Sequence, residues 1–89
     1  MSENGKVKVK LVFLGNVRES VGIDSTDVEI SPDIMEAFGE IRYIVKDIAG
    51  KELLYNALIN GQNHALAAAQ GKQLADGDEI TLMQCILGG

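Results

Sequence analysis

The chain contains a single cysteine, a single histidine, a single proline and no tryptophan. One cysteine, Cys85, excludes an internal disulfide framework and fits a reducing compartment. Cys85 and His64 together supply too few ligands for a zinc centre, and a Cys/His catalytic pair has almost no raw material. No apolar run approaches the roughly 20 residues that cross a bilayer. The polar stretch Met1–Lys6 lacks the features of a signal peptide, so a cytoplasmic location is expected. Basic residues are also scarce: 8 Lys and Arg stand against 13 Asp and Glu, for a net charge of -5. With no basic stripe, nucleic acid and anionic membrane are poor partners, and a partner with a basic docking surface is a better one.

What is present suffices for one small domain. The 89 residues are 46% hydrophobic and 24% charged, enough for a single core under a solvated surface. Residues 1–5 are polar and expected to be disordered. From Lys6 to Leu14 the pattern alternates, with Val7, Val9, Leu11 and Phe13 on one face and lysines on the other, which predicts a half-buried strand. Gly15 to Thr26 breaks the pattern and reads as a long, semi-ordered connection. Asp27–Ile30 alternates again, a second strand expected to hairpin onto the first.

The only proline, Pro32, marks a helix start. Ser31 is the expected N-cap, Pro32 the first helical residue, and Asp33 and Glu36 lie in the positive first turn. Ile34, Phe38, Ile41, Val45 and Ile48 follow at spacings of four, three, four and three, one apolar stripe over four turns. Gly50 is the expected left-handed terminator, with Lys46 suited to the helix C-terminus. Gly39 costs about 1 kcal/mol in mid-helix relative to alanine and suggests close packing.

Leu53–Ile59 predicts a third strand, and Asn60-Gly61 a tight turn. Asn63–Leu66 suggests a short return strand, and Ala67–Lys72 either a helical turn or a loop. Leu74 to Ile80 reads as a turn into the final strand, with Gly77 free to take positive φ, and Ile80 and Leu82 then alternate with Thr81 and Met83. The last strand, Thr81–Leu87, runs into Gly88-Gly89. Strand pairs around one helix suggest an α+β fold, a mixed sheet of four to five strands with one main helix on one face. The helix crossover would let the last strand lie centrally beside the first.

Three stretches resemble the MoaD/ThiS family of β-grasp sulfur carriers, and within it the small subunit of molybdopterin synthase. They are Arg18-Glu19-Ser20-Val21-Gly22, Ile59-Asn60-Gly61, and Leu74-Ala75-Asp76-Gly77-Asp78-Glu79-Ile80 with the terminal Gly88-Gly89. The resemblance implies a ubiquitin-like β-grasp domain over residues 6–87 and a flexible tail at 88–89. It also implies that an ATP-dependent, ubiquitin-activating-type (MoeB-like) enzyme adenylates the Gly89 carboxylate, which then becomes a thiocarboxylate. The tail would enter a MoaE-like large subunit and give its sulfur to cyclic pyranopterin monophosphate. On this reading the chain binds no cofactor, ATP is used by its partner, and it supplies a reacting group rather than a catalytic pocket. A thiazole-pathway carrier and a ubiquitin-like modifier are the alternatives.

Two unsubstituted glycines suit that chemistry, because a side chain on Gly88 or Gly89 would add bulk to a thread that must enter a narrow site. Met83, Ile86 and Leu87, with Phe13, are the candidate partner-binding residues; alternation leaves open whether some of them complete the core instead. Cys85 is either a small buried hydrophobe or a sulfur relay. Arg18 and Glu19 are expected to pair with each other or brace their loop, with a partner contact as the other reading, and His64 to be exposed and passive. Asp76, Asp78 and Glu79 read as a charged turn, since three acids on one turn cannot encircle an ion unaided.

Overall fold

The computed structural model describes residues 5–84. Alternation fixes the first strand, β1 (Val7–Phe13): Val9, Leu11 and Phe13 are fully buried while Lys8 and Lys10 are exposed. Its antiparallel neighbour β2 (Ser25–Ile30) pairs Val7 with Ile30 and Val9 with Val28, so the two apolar faces coincide.

Between them lies a helix where the sequence suggested a semi-ordered connection. The helix α1 (Gly15–Val21) buries Val17 and Val21, four residues apart, and ends at Gly22 with φ 82°, whose N–H donates to the Arg18 carbonyl. Only two apolar positions mark this helix, and weak helix formers such as Asn16 and Ser20 fill the rest. Tertiary burial of the two valines therefore decides its conformation.

The main helix α2 (Ile34–Ala49) starts later than Ser31-Pro32 implied. Asp33 is the N-cap: its carboxylate accepts from the Glu36 N–H at 2.9 Å. Ser31 lies two residues outside, with its hydroxyl oxygen accepting from the Asp33 N–H at 3.1 Å. Pro32 turns its carbonyl to the Leu74 N–H and so belongs to the approach rather than the first turn. The buried stripe is Ile34, Ala37, Ile41 and Val45, while Ile48 is 38% exposed. Ala37 thus occupies the centre line, with Phe38 packed at its margin. Gly39 is exposed, and no neighbouring atom comes within 4 Å of where a Cβ would sit. Close packing does not explain it.

After Gly50 (φ 78°) the chain reaches β3 (Tyr55–Ile59), which begins two residues after the expected Leu53, Leu54 being 81% exposed. Asn60 and Gly61 have φ of 51° and 84°, the pair of positive values that a two-residue hairpin needs. The return strand β4 is only Gln62–Asn63. Asn63 then caps a further helix, α3 (His64–Ala69), its side-chain oxygen accepting from the N–H groups of Ala65 and Leu66. That cap and the alanine-rich run that follows outweigh strand pairing here. Gly77 takes φ 91° before the last described strand, β5 (Glu79–Gln84).

The sheet order is β2-β1-β5-β3-β4, with β1 and β5 parallel and every other pairing antiparallel. The final strand is central, as the crossover argument anticipated. This α+β arrangement is the ubiquitin-like β-grasp. Inward strand residues and the buried sides of the helices form one cluster, from Val9, Leu11 and Phe13 through Ile41 and Val45 to Ile80 and Leu82. The opposite face of the sheet is left without a covering layer among the described residues.

Candidate functional site

The last strand positions everything at this end of the molecule. It is held on both sides: β1 pairs with it from Lys10–Glu79 to Phe13–Leu82, and β3 from Ile59–Ile80 to Tyr55–Gln84. The Leu14 N–H adds a bond to the Leu82 carbonyl at 3.0 Å. Ile80 and Leu82 are fully buried, so alternation puts Thr81 and Met83 on the uncovered face. There Thr81 lies between Val12 of β1 and Leu58 of β3, and Met83 stands opposite Asn56. Val12, Leu58, Thr81 and Met83 are all half-buried, a small apolar surface at the start of the chain's last five residues.

Of the four candidate partner-binding residues, Met83 lies on this outer face. Phe13 does not. It is 1% exposed, on the same side of β1 as Val9 and Leu11 and directly across from Leu82, so it is a core residue and unavailable to a partner. Its neighbour Leu14 is the exposed one, at 43%. Ile86 and Leu87, like Cys85 and the two terminal glycines Gly88 and Gly89, lie outside the described residues.

The turn that launches β5 is built by its acids. The Asp76 carboxylate accepts from the Lys8 N–H at 2.8 Å, and Asp78 accepts from the Ala75 N–H at 2.8 Å and from the Asn60 side-chain amide at 3.1 Å. The Asn60 side-chain oxygen in turn accepts from the Glu79 N–H. Asn60 therefore serves two turns, its own hairpin and the β5 approach. These carboxylates satisfy backbone donors, and among the described residues no three His, Cys, Asp or Glu side chains cluster in a way that could hold a metal ion.

Arg18 forms an exposed ion pair with Asp24 at 3.5 Å, across the connection from α1 to β2. Such a pair contributes little to stability and acts as a brace for the loop. The expectation for His64 was wrong. Its ring stacks on Phe38 with centroids 4.7 Å apart, and its Nδ1 donates to the Ala57 carbonyl at 3.2 Å. Sequence gave little warning, because Phe38 lies 26 residues earlier, on another helix.

Two further features were not legible beforehand. Lys6 pairs with Glu40 at 2.9 Å, and the other Glu40 oxygen accepts from the Ser31 N–H at 2.8 Å. The Lys6 hydrogen bond, seconded by the Ser31 N–H, holds the Glu40 carboxyl below the ordinary carboxylate range, against a smaller opposing effect of burial. Burial, on the other hand, pushes the Tyr55 hydroxyl upward at the start of β3.

No protein-family model matches the chain, and no curated protein does. Solved structures do. Small archaeal modifier protein 1 from Methanosarcina acetivorans superposes with a TM-score of 0.64 at 22% identity, over 94% of this chain and 98% of its own. A candidate molybdopterin converting factor, subunit 1, from Pyrococcus furiosus gives 0.63 at 18% identity, over 90% and 99%. Caldiarchaeum subterraneum ubiquitin gives 0.56 at 22%, over 96% and 100%. The likeness is one of fold, and it spans nearly the whole of each chain. Among the described residues no helix is long and apolar enough to cross a membrane.

Proposed function

We propose that this chain is a ubiquitin-like carrier that works through the carboxylate of Gly89, as a sulfur carrier of the molybdopterin synthase small-subunit kind. A MoeB-like partner would let that carboxylate attack the α-phosphorus of ATP, releasing pyrophosphate and leaving an acyl-adenylate. A sulfur nucleophile then displaces AMP, and the resulting thiocarboxylate gives its sulfur to cyclic pyranopterin monophosphate in a MoaE-like large subunit. One observation carries the reading: the strand that leads to Gly88-Gly89 is the central strand of the sheet, bonded on both sides. The body of the domain is thus a rigid handle for the residues that follow Gln84. The likeness to a candidate molybdopterin converting factor subunit supports the sulfur branch.

A second reading has equal support from the comparisons. Modifier protein 1 and a ubiquitin share the fold, so the same activated carboxylate would form an isopeptide bond with a lysine amine of another protein. Incubation with ATP, a ubiquitin-activating-type enzyme and a sulfur donor separates the two by intact mass. The sulfur carrier gains the mass of one oxygen-to-sulfur exchange, and the modifier gives isopeptide adducts in cells. A chain lacking Gly89 should fold and do neither; normal thiocarboxylate formation by that truncated chain would falsify the assignment of Gly89.

A further inference from the structure

The two edges of the sheet are unlike. At one, β4 is two residues long and gives way at once to α3. At the other, β2 is six residues long and has no neighbour on its outer side among the described residues. Its free main-chain groups can be identified. The Phe13 N–H donates to the Asp24 carbonyl at 2.8 Å, and the register places those residues opposite one another. Hydrogen-bonded pairs alternate along an antiparallel ladder, so Thr26, Val28 and Ile30 bond to β1. Ser25, Asp27 and Glu29 turn their N–H and C=O groups outward. On β1 the complementary set behaves accordingly: Lys8 and Lys10 bond away from β2, to Gly77 and Asp78.

We infer that this edge accepts an extended, cationic segment of another protein as a sixth strand, one with Lys or Arg at alternate positions and β-branched residues between. Strand addition of this kind takes affinity from the main chain and specificity from alternate side chains. The side chains of Asp27 and Glu29 are exposed on the uncovered sheet face, and Val28 lies half-buried at the margin of the core on the other. On its occupied side, β2 already pairs with such a segment. There Lys8, Val9 and Lys10 stand opposite Glu29, Val28 and Asp27. An added strand of the same alternation would place its cations beside the same two carboxylates, and the net charge of -5 favours its approach.

A second copy of this chain is opposed by the same residues. Antiparallel pairing of β2 with itself sets Asp27 against Asp27 or against Glu29, and like charges directly opposite are destabilising. The acids thus close the edge to self-association while leaving it open to a basic strand.

The test uses the full chain, 15N-labelled, with the capped peptide Ser-Lys-Val-Lys-Val-Lys-Ser as probe. Expected are slowed amide exchange at Ser25, Asp27 and Glu29 but not at Thr26 and Val28, and affinity that falls as salt rises. Reversing Asp27→Lys together with Glu29→Lys weakens binding at least about tenfold. Asp27→Pro, which removes an outward N–H and leaves the β1 ladder whole, abolishes it. The proposal is overturned by the absence of shifts up to about 1 mM peptide. Equal binding of Ser-Lys-Lys-Lys-Val-Val-Ser, protection without the alternate pattern, or undiminished binding to the Asp27→Pro chain also overturns it. Removing Gly88 and Gly89 leaves the binding unchanged, which keeps this outcome separate from that of the carrier reading.

Discussion

Phe38 of α2 and His64 of α3 stack with their ring planes 18° from parallel, and the His64 Nδ1 also holds the carbonyl of Ala57 on β3. One side chain therefore ties three elements together. Stacked aromatic pairs contribute about 0.5–1.5 kcal/mol beyond their area, and the hydrogen bond adds about 1. His64→Ala is expected to lower stability by about 1.5–2.5 kcal/mol, with His64→Phe recovering the part owed to stacking. Urea unfolding at neutral pH measures both, and an unchanged midpoint for His64→Ala would contradict this role.

Phe13 and Met83 were grouped by sequence and are separated by structure. Phe13 is among the largest fully buried side chains, whereas Met83 is half-buried on the uncovered face. Phe13→Ala should cost about 3–5 kcal/mol, a large part of the stability of so small a domain. Met83→Ala should cost about 1 kcal/mol or less. Thermal unfolding of the two variants gives the comparison. Equal losses would mean that the face assigned to Met83 is wrong.

That pair shows where sequence reading succeeds and where it stops. Alternation from Val7 to Phe13 and the glycines at 50, 61 and 77 each announce a local conformation, and each is found. Ile80 and Leu82 likewise announced a strand, and the crossover argument placed it in the centre of the sheet. What failed depended on contacts distant in sequence or on competition between neighbours. Ser31 and Asp33 are both good caps, and only the reach of the Asp33 carboxylate to Glu36 decides between them. The helix at Gly15–Val21 exists because Val17 and Val21 find the core. Phe13 lies on the inward face of an alternating run yet also stood among the candidate partner-binding residues, and only its burial across from Leu82 decides between the two.

Gly39 offers a test of a negative finding. It has no close neighbour and its environment is exposed, so neither packing nor a tight approach requires glycine there. Helix propensity alone then governs the substitution. Gly39→Ala should stabilise the fold by about 1 kcal/mol, read as a rise in the thermal midpoint. A loss of stability would show that the outer side of α2 is more constrained than its geometry indicates.

Glu40 links the beginning of β1 to α2 and to the approach before it, through Lys6 and the Ser31 N–H. Its carboxyl is held below its ordinary value of 4.5, chiefly by the Lys6 hydrogen bond. The unfolded chain therefore binds a proton at this residue before the folded one does. The associated stability is fully present above about pH 4.5 and is lost as pH falls through the lower folded value. Both side chains are about one-third exposed, so solvent screening limits the effect to about 1 kcal/mol or less. Glu40→Gln should accordingly be less stable than the parent at pH 7 and approach it as pH falls from 4.5 through the lower folded value. Parallel unfolding curves at neutral and acid pH decide the matter, and a stability difference that does not shrink in acid would assign the effect to packing rather than to charge.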